Sequence, residues 1–137
     1  MTDSPMGKRR DKPFWDARRR AVWIPGAGIW LDGRDLDPAA VTFPQAEELA
    51  RAQGRTLPTR RDWLAVAFRL EEVNGVLRRN CACPLAKTYW SQTSYEGVMK
   101  CRYAADFSDG TVVPRGETCE IGVHARGCAR EERDEDD

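Results

Sequence analysis

The stretch from Tyr89 to Arg130 constrains the fold most, because it has the pattern of several short strands joined by turns. Alternation of larger side chains predicts a half-buried strand whose core-facing positions are Cys101, Tyr103, Ala105 and Phe107. Ser108 to Gly110 then supplies turn residues, and Thr111 to Val113 is β-branched enough to form the returning strand. We therefore expect a hairpin here with Phe107 facing a core.

The end of the same stretch repeats the alternation. Ile121, Val123 and Ala125 share one face, so His124 and Arg126 are predicted to point outward. Aromatic residues of a folded domain are more often packing residues than ligand platforms. We assign these to the core: Trp23, Trp30, Trp63, Tyr89, Trp90, Tyr103 and Phe107.

The N-terminal half reads as a hairpin followed by two helices. Two short apolar runs, residues 21–24 and 29–31, flank the turn sequence Pro25 to Gly28. Thr42 and Gln45 have the spacing of a capping box, so a helix is predicted from there to about Gln53, with Gly54 as its stop.

Thr59 and Asp62 predict the start of a second helix. This helix is expected to be wide on its apolar side and largely buried, with Leu64 and Phe68 beside the main apolar stripe. Asn74-Gly75 is expected to end or kink it, and residues 76–87 are predicted to be irregular.

Length and charge indicate one folded domain with charged ends. The chain has 137 residues and a net charge of zero, yet Lys8 to Arg20 is basic and Glu131 to Asp137 is almost wholly acidic. We predict a flexible basic arm at residues 1–18, a folded domain at residues 19–130 and an acidic disordered tail at residues 131–137. Without aromatic platforms or a known module, the basic arm does not predict nucleic acid as a partner.

No apolar run approaches the roughly 18 residues of a membrane span, and no apolar segment follows the basic residues near the N-terminus. We therefore predict no membrane span and no signal peptide. The expected location is the cytoplasm, or delivery as part of a phage or surface assembly.

The cysteines are expected to be mostly reduced thiols. Their count of five is odd, and all lie in the C-terminal half: Cys81, Cys83, Cys101, Cys119 and Cys128. Cys81-x-Cys83 lacks both the usual spacing and the second pair of a zinc site. A disulfide between neighbouring C-terminal strands stays open as an alternative. No cofactor and no metal site are predicted.

Short motifs in a fixed order resemble one family. They are Gly28-Ile29-Trp30, then Arg55-Thr56-Leu57-Pro58-Thr59, then Tyr89-Trp90-Ser91-x-Thr93-x-Tyr95, then Asp106-Phe107-Ser108-Asp109-Gly110, and last Cys128-Ala129-Arg130. This order over residues 21–130 resembles the DUF1566, or Lcl C-terminal, family, which is related to the formylglycine-generating-enzyme type of C-type-lectin fold. The resemblance implies an α+β domain with two helices packed on a small twisted antiparallel sheet, with long loops around the C-terminal strands.

Similar domains serve as ligand-binding modules in adhesins, in phage proteins and in the variable proteins of diversity-generating retroelements. We therefore expect no enzyme but a module that binds a protein or a surface glycan, in a phage or bacterial recognition or accessory protein. Aromatic, basic and acidic side chains on its C-terminal strands and loops are the candidate contacts: Tyr95, Met99, Lys100, Arg102, Arg115, Glu117, Glu120, His124 and Arg126.

Two alternatives stay open at this stage. One is a metal-dependent enzyme of the formylglycine-generating class, which would use a pair of cysteines for copper(I). The nearest candidates are Cys119 and Cys128, with Cys101 as a third, although their spacing does not match. The other is a structural subunit of a virion or other assembly. The sequence also leaves homo-oligomerisation open.

Overall fold

The computed structural model describes residues 10–95, 100–117 and 122–131. In this part of the chain it has a mixed α+β architecture with three helices and two four-stranded sheets. The helices are α1 (Phe43–Ala52), α2 (Arg60–Phe68) and α3 (Leu70–Arg79).

The first sheet is antiparallel throughout and has the strand order β1-β2-β3-β8. Its strands are β1 (Trp15–Asp16), β2 (Ala21–Ile24), β3 (Ile29–Asp32) and β8 (Cys128–Arg130). The predicted first hairpin is confirmed, since β2 pairs with β3 across a turn in which Gly26 and Gly28 have φ of 87° and 71°. Positive φ is accessible to glycine without a steric penalty, which explains both positions.

The second sheet has the order β6-β5-β4-β7. Its strands are β4 (Thr88–Ser94), β5 (Cys101–Asp106), β6 (Thr111–Gly116) and β7 (Val123–His124). The hairpin predicted around residues 108–110 is confirmed by the antiparallel pairing of β5 with β6. The short strand β7 instead lies parallel to β4.

The predicted fold class is therefore correct as α+β, but the predicted single antiparallel sheet with two helices is wrong. Two sheets form because β8 returns to pair with β3 in the first hairpin, whereas β4 to β7 pair with one another. The third helix arises because the apolar segment after Thr59 divides at Arg69, whose φ and ψ of −123° and 33° are not helical.

Helix α1 begins and ends where the sequence predicts. The Thr42 hydroxyl accepts a hydrogen bond from the Gln45 amide, and the Gln45 side chain accepts one from the Thr42 amide. Gly54 follows the C-terminal end with φ of 69°, the left-handed conformation that stops a helix. The same reciprocal capping between Thr59 and Asp62 confirms the predicted start of α2.

The predicted wide apolar side of α2 is wrong. Trp63 and Val66 are buried, but Leu64 is 41% exposed and Phe68 is 83% exposed. The predicted end or kink at Asn74-Gly75 is also wrong, since both residues lie inside α3. Asn74 stays in the helix because its buried side chain bonds the backbone of Leu85, so it does not compete with the helix's own hydrogen bonds.

Core side chains cover both faces of the second sheet. Tyr89 and Phe107 pack with Trp63 and the first sheet on one face, whereas Trp90 and Ala104 pack with α1 on the other. The core assignments of Trp23, Trp30, Trp63, Tyr89, Trp90 and Phe107 are confirmed. The assignment of Tyr103 is wrong, because this side chain is only half-buried and contacts the side chains of Tyr95 and Arg60.

Part of the predicted basic arm lies against the first sheet. Strand β1 pairs with β2, the Phe14 ring meets Trp30 at 5.4 Å between centroids, and the Trp23 indole donates to the Arg10 carbonyl at 2.9 Å. The predicted division at residues 18 and 131 stays a prediction. None of the helices in the described ranges has the length and apolar character that crossing a membrane requires.

Candidate functional site

Most of the predicted contact residues that the structure describes meet at one end of the second sheet. The Tyr95 amide donates to the Cys101 carbonyl at 2.9 Å, and the Glu117 amide donates to the Lys100 carbonyl at 2.8 Å. Arg102 and Arg115 are opposite one another on β5 and β6. Arg60 and Tyr103, which the sequence analysis does not include among the contacts, lie next to this group. We call the whole group the loop-end patch: Arg60, Tyr95, Lys100, Arg102, Tyr103, Arg115 and Glu117.

On one face of β5 the patch is aromatic and cationic. The Tyr95 and Tyr103 rings meet edge to face, with 5.5 Å between centroids. The Arg60 guanidinium lies 4.8 Å from the centre of the Tyr103 ring. Arg60 is exposed and both tyrosines are half-buried, so the stack is fixed on one side and open to solvent on the other.

On the opposite face Arg102 is held by neighbours from several elements. Its guanidinium bonds the Glu117 carboxylate at 2.8 Å and the Gln92 carbonyl at 2.7 Å, and it lies 4.2 Å from the centre of the Phe43 ring. These contacts fix the side chain in one orientation, which lowers the entropy lost when a partner binds to it.

Of the remaining predicted residues, His124 and Arg126 are described, and neither belongs to the patch. Met99 and Glu120 lie outside the described residues. His124 is half-buried on β7 beside Tyr89, and Arg126 is completely buried, so the prediction that Arg126 points outward is wrong. Strand β7 ends at His124, so the alternation does not continue to Arg126, and residues 125–127 are all buried.

Arg126 is the centre of a buried polar cluster. Its guanidinium bonds the Asp35 carboxylate at 2.7 and 3.1 Å and the Cys83 carbonyl at 2.8 Å. Lys87 adds a second cation 3.3 Å from Asp35. This arrangement neutralises a carboxylate inside the protein and ties together loops from three parts of the chain, so it is a structural cluster.

Tyr89 and His124 lie beside this cluster. Burial raises the pKa of the Tyr89 hydroxyl well above its ordinary value, and the nearby Arg126 opposes this shift only in part. Within the described part of the chain, neither the Tyr89 hydroxyl nor His124 Nδ1 has a hydrogen-bond partner. Tyr89 therefore keeps its proton at neutral pH and cannot act there as a base.

The described cysteines lie in three different parts of the fold. Cys81 and Cys83 are exposed on the loop after α3, Cys101 begins β5 in the second sheet, and Cys128 is buried on β8 in the first sheet. All four are free thiols, and Cys119 lies outside the described residues. Burial raises the pKa of the Cys128 thiol to about 11, so it stays protonated at neutral pH.

Residues 10–95, 100–117 and 122–131 contain no group of three or more His, Cys, Asp or Glu side chains placed to hold a metal ion.

The sequence analysis does not assign Arg60 and Tyr103 to the candidate contact surface, although their side chains belong to the loop-end patch. The sequence carries no signal that singles out Arg60, because Arg61 lies in the same first turn of α2. Tyr103 also carries no signal, since alternation assigns it to the core face.

No protein-family model matches the chain, and a search of curated proteins finds no match. The resemblance to the DUF1566 family therefore rests on the short motifs quoted above.

Proposed function

We propose that this chain is a non-catalytic binding module of the C-type-lectin-like type, and that the loop-end patch is its contact surface. It would serve as a recognition or accessory protein of a phage or bacterium, as the resemblance to the DUF1566 family implies. The patch lies at the end of the second sheet where β4 and β6 end and β5 begins, and binding residues are common at the ends of such elements on a rigid scaffold.

The observation that carries this proposal is the half-exposed stack of Arg60, Tyr103 and Tyr95 on one face of β5, with the fixed Arg102 on the other face of the same strand. Tyrosine and arginine are the residue types that contribute most to binding energy in protein interfaces. Both are present here in held conformations, so little side-chain entropy is lost on binding. We therefore favour a protein partner over a glycan.

The enzyme alternative has less support. A copper(I) site of the formylglycine-generating kind would need two neighbouring thiolates. Cys101 and Cys128 belong to different sheets, and burial holds the Cys128 thiol in its protonated form.

The test begins with a binding screen of the full chain against arrayed proteins and arrayed glycans. Each hit is then titrated with the wild type and with Arg60→Glu. A glutamate at the first position of α2 favours the helix dipole, so this variant should fold while reversing the charge over Tyr103. We expect an affinity loss of about tenfold or more.

Arg61→Glu is the matched control, because Arg61 is exposed on the same turn of α2 and does not contact the Tyr103 ring. The proposal predicts little change for it. Equal losses in both variants, or a hit that is indifferent to Arg60→Glu, would place the contact surface elsewhere. A hit among the glycans alone would contradict the choice of a protein partner.

A further inference from the structure

A second site candidate is a cleft of about 640 Å³ beside the first sheet, which shares no residue with the loop-end patch. Its lining combines a half-buried indole, a thiol and arginines from several elements: Trp15, Arg19, Arg20, Arg34, Arg55 and Cys81. Arginines from three separate segments converge on one concavity, which sets this surface apart from a solvated charged face.

The carboxylates in this cleft are already neutralised. Asp32 accepts hydrogen bonds from Arg55 at 3.0 and 3.2 Å, and Asp35 belongs to the buried cluster with Arg126. Burial raises the pKa of Asp32, and the hydrogen bond and charge of Arg55 oppose that shift. The charge that faces a ligand is therefore positive.

Arg20 and Arg34 supply that charge. Both are exposed, and neither makes an ion pair with any residue of the described ranges. The two segments that carry them are held together, because the amide of Gly33, the residue before Arg34, donates to the Arg20 carbonyl at 3.1 Å. Both arginines line the cleft, and their donors are unused by carboxylates of the described chain.

Arg20 has an uncommon backbone conformation, which it shares with another residue of the cleft. Its φ is 54°, in the left-handed region that favours glycine, and Cys81 on the same cleft has φ of 58°. Only one further non-glycine residue of the described chain, Lys100, has a positive φ. Each conformation has a local role: the Arg20 amide closes the turn after β1 by donating to the Asp16 carbonyl at 2.8 Å, and Cys81 follows the end of α3.

We propose that the cleft binds the phosphate group of a small phosphomonoester between Arg20 and Arg34. A phosphate dianion has the charge and the oxygen acceptors to engage two guanidinium forks, whereas a single carboxylate needs only one. Trp15, Leu36 and Ala82 form an apolar part of the lining that would contact the organic group of the ligand.

The test uses the full chain, with inorganic phosphate and phenyl phosphate as probes and benzoate as the carboxylate comparison. Binding is followed by calorimetry and by the fluorescence of the tryptophans. Phenyl phosphate is expected to bind more tightly than inorganic phosphate, because of its apolar contact, and more tightly than benzoate. Arg34→Gln should weaken phosphate binding about tenfold, while Arg78→Gln, an exposed arginine on α3, should not.

Arg20→Gly separates binding from folding. It removes the side chain while suiting the left-handed backbone, so we expect phosphate binding to weaken about tenfold while the urea midpoint stays the same or rises. No detectable phosphate binding, binding that Arg20→Gly and Arg34→Gln leave unchanged, or equal weakening by Arg78→Gln would overturn the proposal. Because neither variant touches the loop-end patch, these results leave the proposed partner surface to its own test.

Discussion

Asn74 shows how one polar side chain stabilises a loop from inside a helix. It is buried, its amide donates to the Leu85 carbonyl at 2.9 Å, and its oxygen accepts from the Leu85 amide at 2.7 Å. Asn74→Ala would leave two buried backbone groups unpaired, so the free energy of unfolding should fall by about 3 kcal/mol. Urea unfolding measures this loss. The control is Asn80→Ala. The exposed Asn80 amide donates only to the Val76 carbonyl, so this variant should lower the free energy of unfolding far less.

Arg126 is predicted here to matter for stability and not for partner binding. Removing it strands the Asp35 carboxylate in a nearly buried position with only Lys87 nearby, so Arg126→Met should lower the free energy of unfolding by about 3–5 kcal/mol. The further change Asp35→Leu removes the stranded charge and should recover part of that loss. A double variant no more stable than Arg126→Met would contradict this explanation, which urea unfolding can decide.

Cys128 makes stability depend on pH in the alkaline range. Its pKa rises on folding from an ordinary value of 9.0 to about 11 because the thiol is buried. The unfolded thiol ionises first, so the folded state binds the extra proton and the free energy of unfolding falls as pH rises through that window. The loss should total about 2–3 kcal/mol. Cys128→Ala should flatten this slope, and an unchanged slope between pH 9 and 11 would disprove the assignment.

At the scale of elements, the starts of α1 and α2 could be predicted from the sequence, but the continuation of α3 through Asn74 and Gly75 could not. Capping at Thr42 and Thr59 depends on residues three positions apart, so the local sequence carries it. The continuation of α3 through Asn74 depends on Leu85, a contact between loop and helix that no local pattern reveals. The sequence Asn-Gly usually ends an element, and here a tertiary contact overrides that preference.

Two glycines should respond in opposite ways to alanine. Gly75 lies inside α3, and an added Cβ would meet only the mobile end of Arg79 at 3.3 Å. Gly75→Ala should therefore raise the free energy of unfolding by about 0.5–1 kcal/mol. Gly54 has φ of 69°, so Gly54→Ala should lower it by about 1 kcal/mol although space is open around it. The same sign for both variants would mean that the helix boundaries are misplaced.

At the scale of the whole molecule, strand alternation predicts which face a residue takes but not what covers that face. Arg102 lies on the face of β5 opposite to that of Phe107, as predicted, yet Phe43 of α1 covers the face that carries Arg102. Arg126 follows the end of a strand, so alternation no longer applies to it. The loop-end location of the candidate site could be predicted, whereas the contributions of Arg60 and Tyr103 required the packing of α2 against β5.

The central claim is that the loop-end patch contacts a partner. Amide chemical-shift mapping tests it most directly, using the full chain and a partner found in the binding screen. The account predicts shifts concentrated at residues 60, 95, 100–103 and 115–117, with little change in the cleft near Arg20. Shifts centred on the exposed Leu64 and Phe68 of α2, with the patch unperturbed, would contradict it.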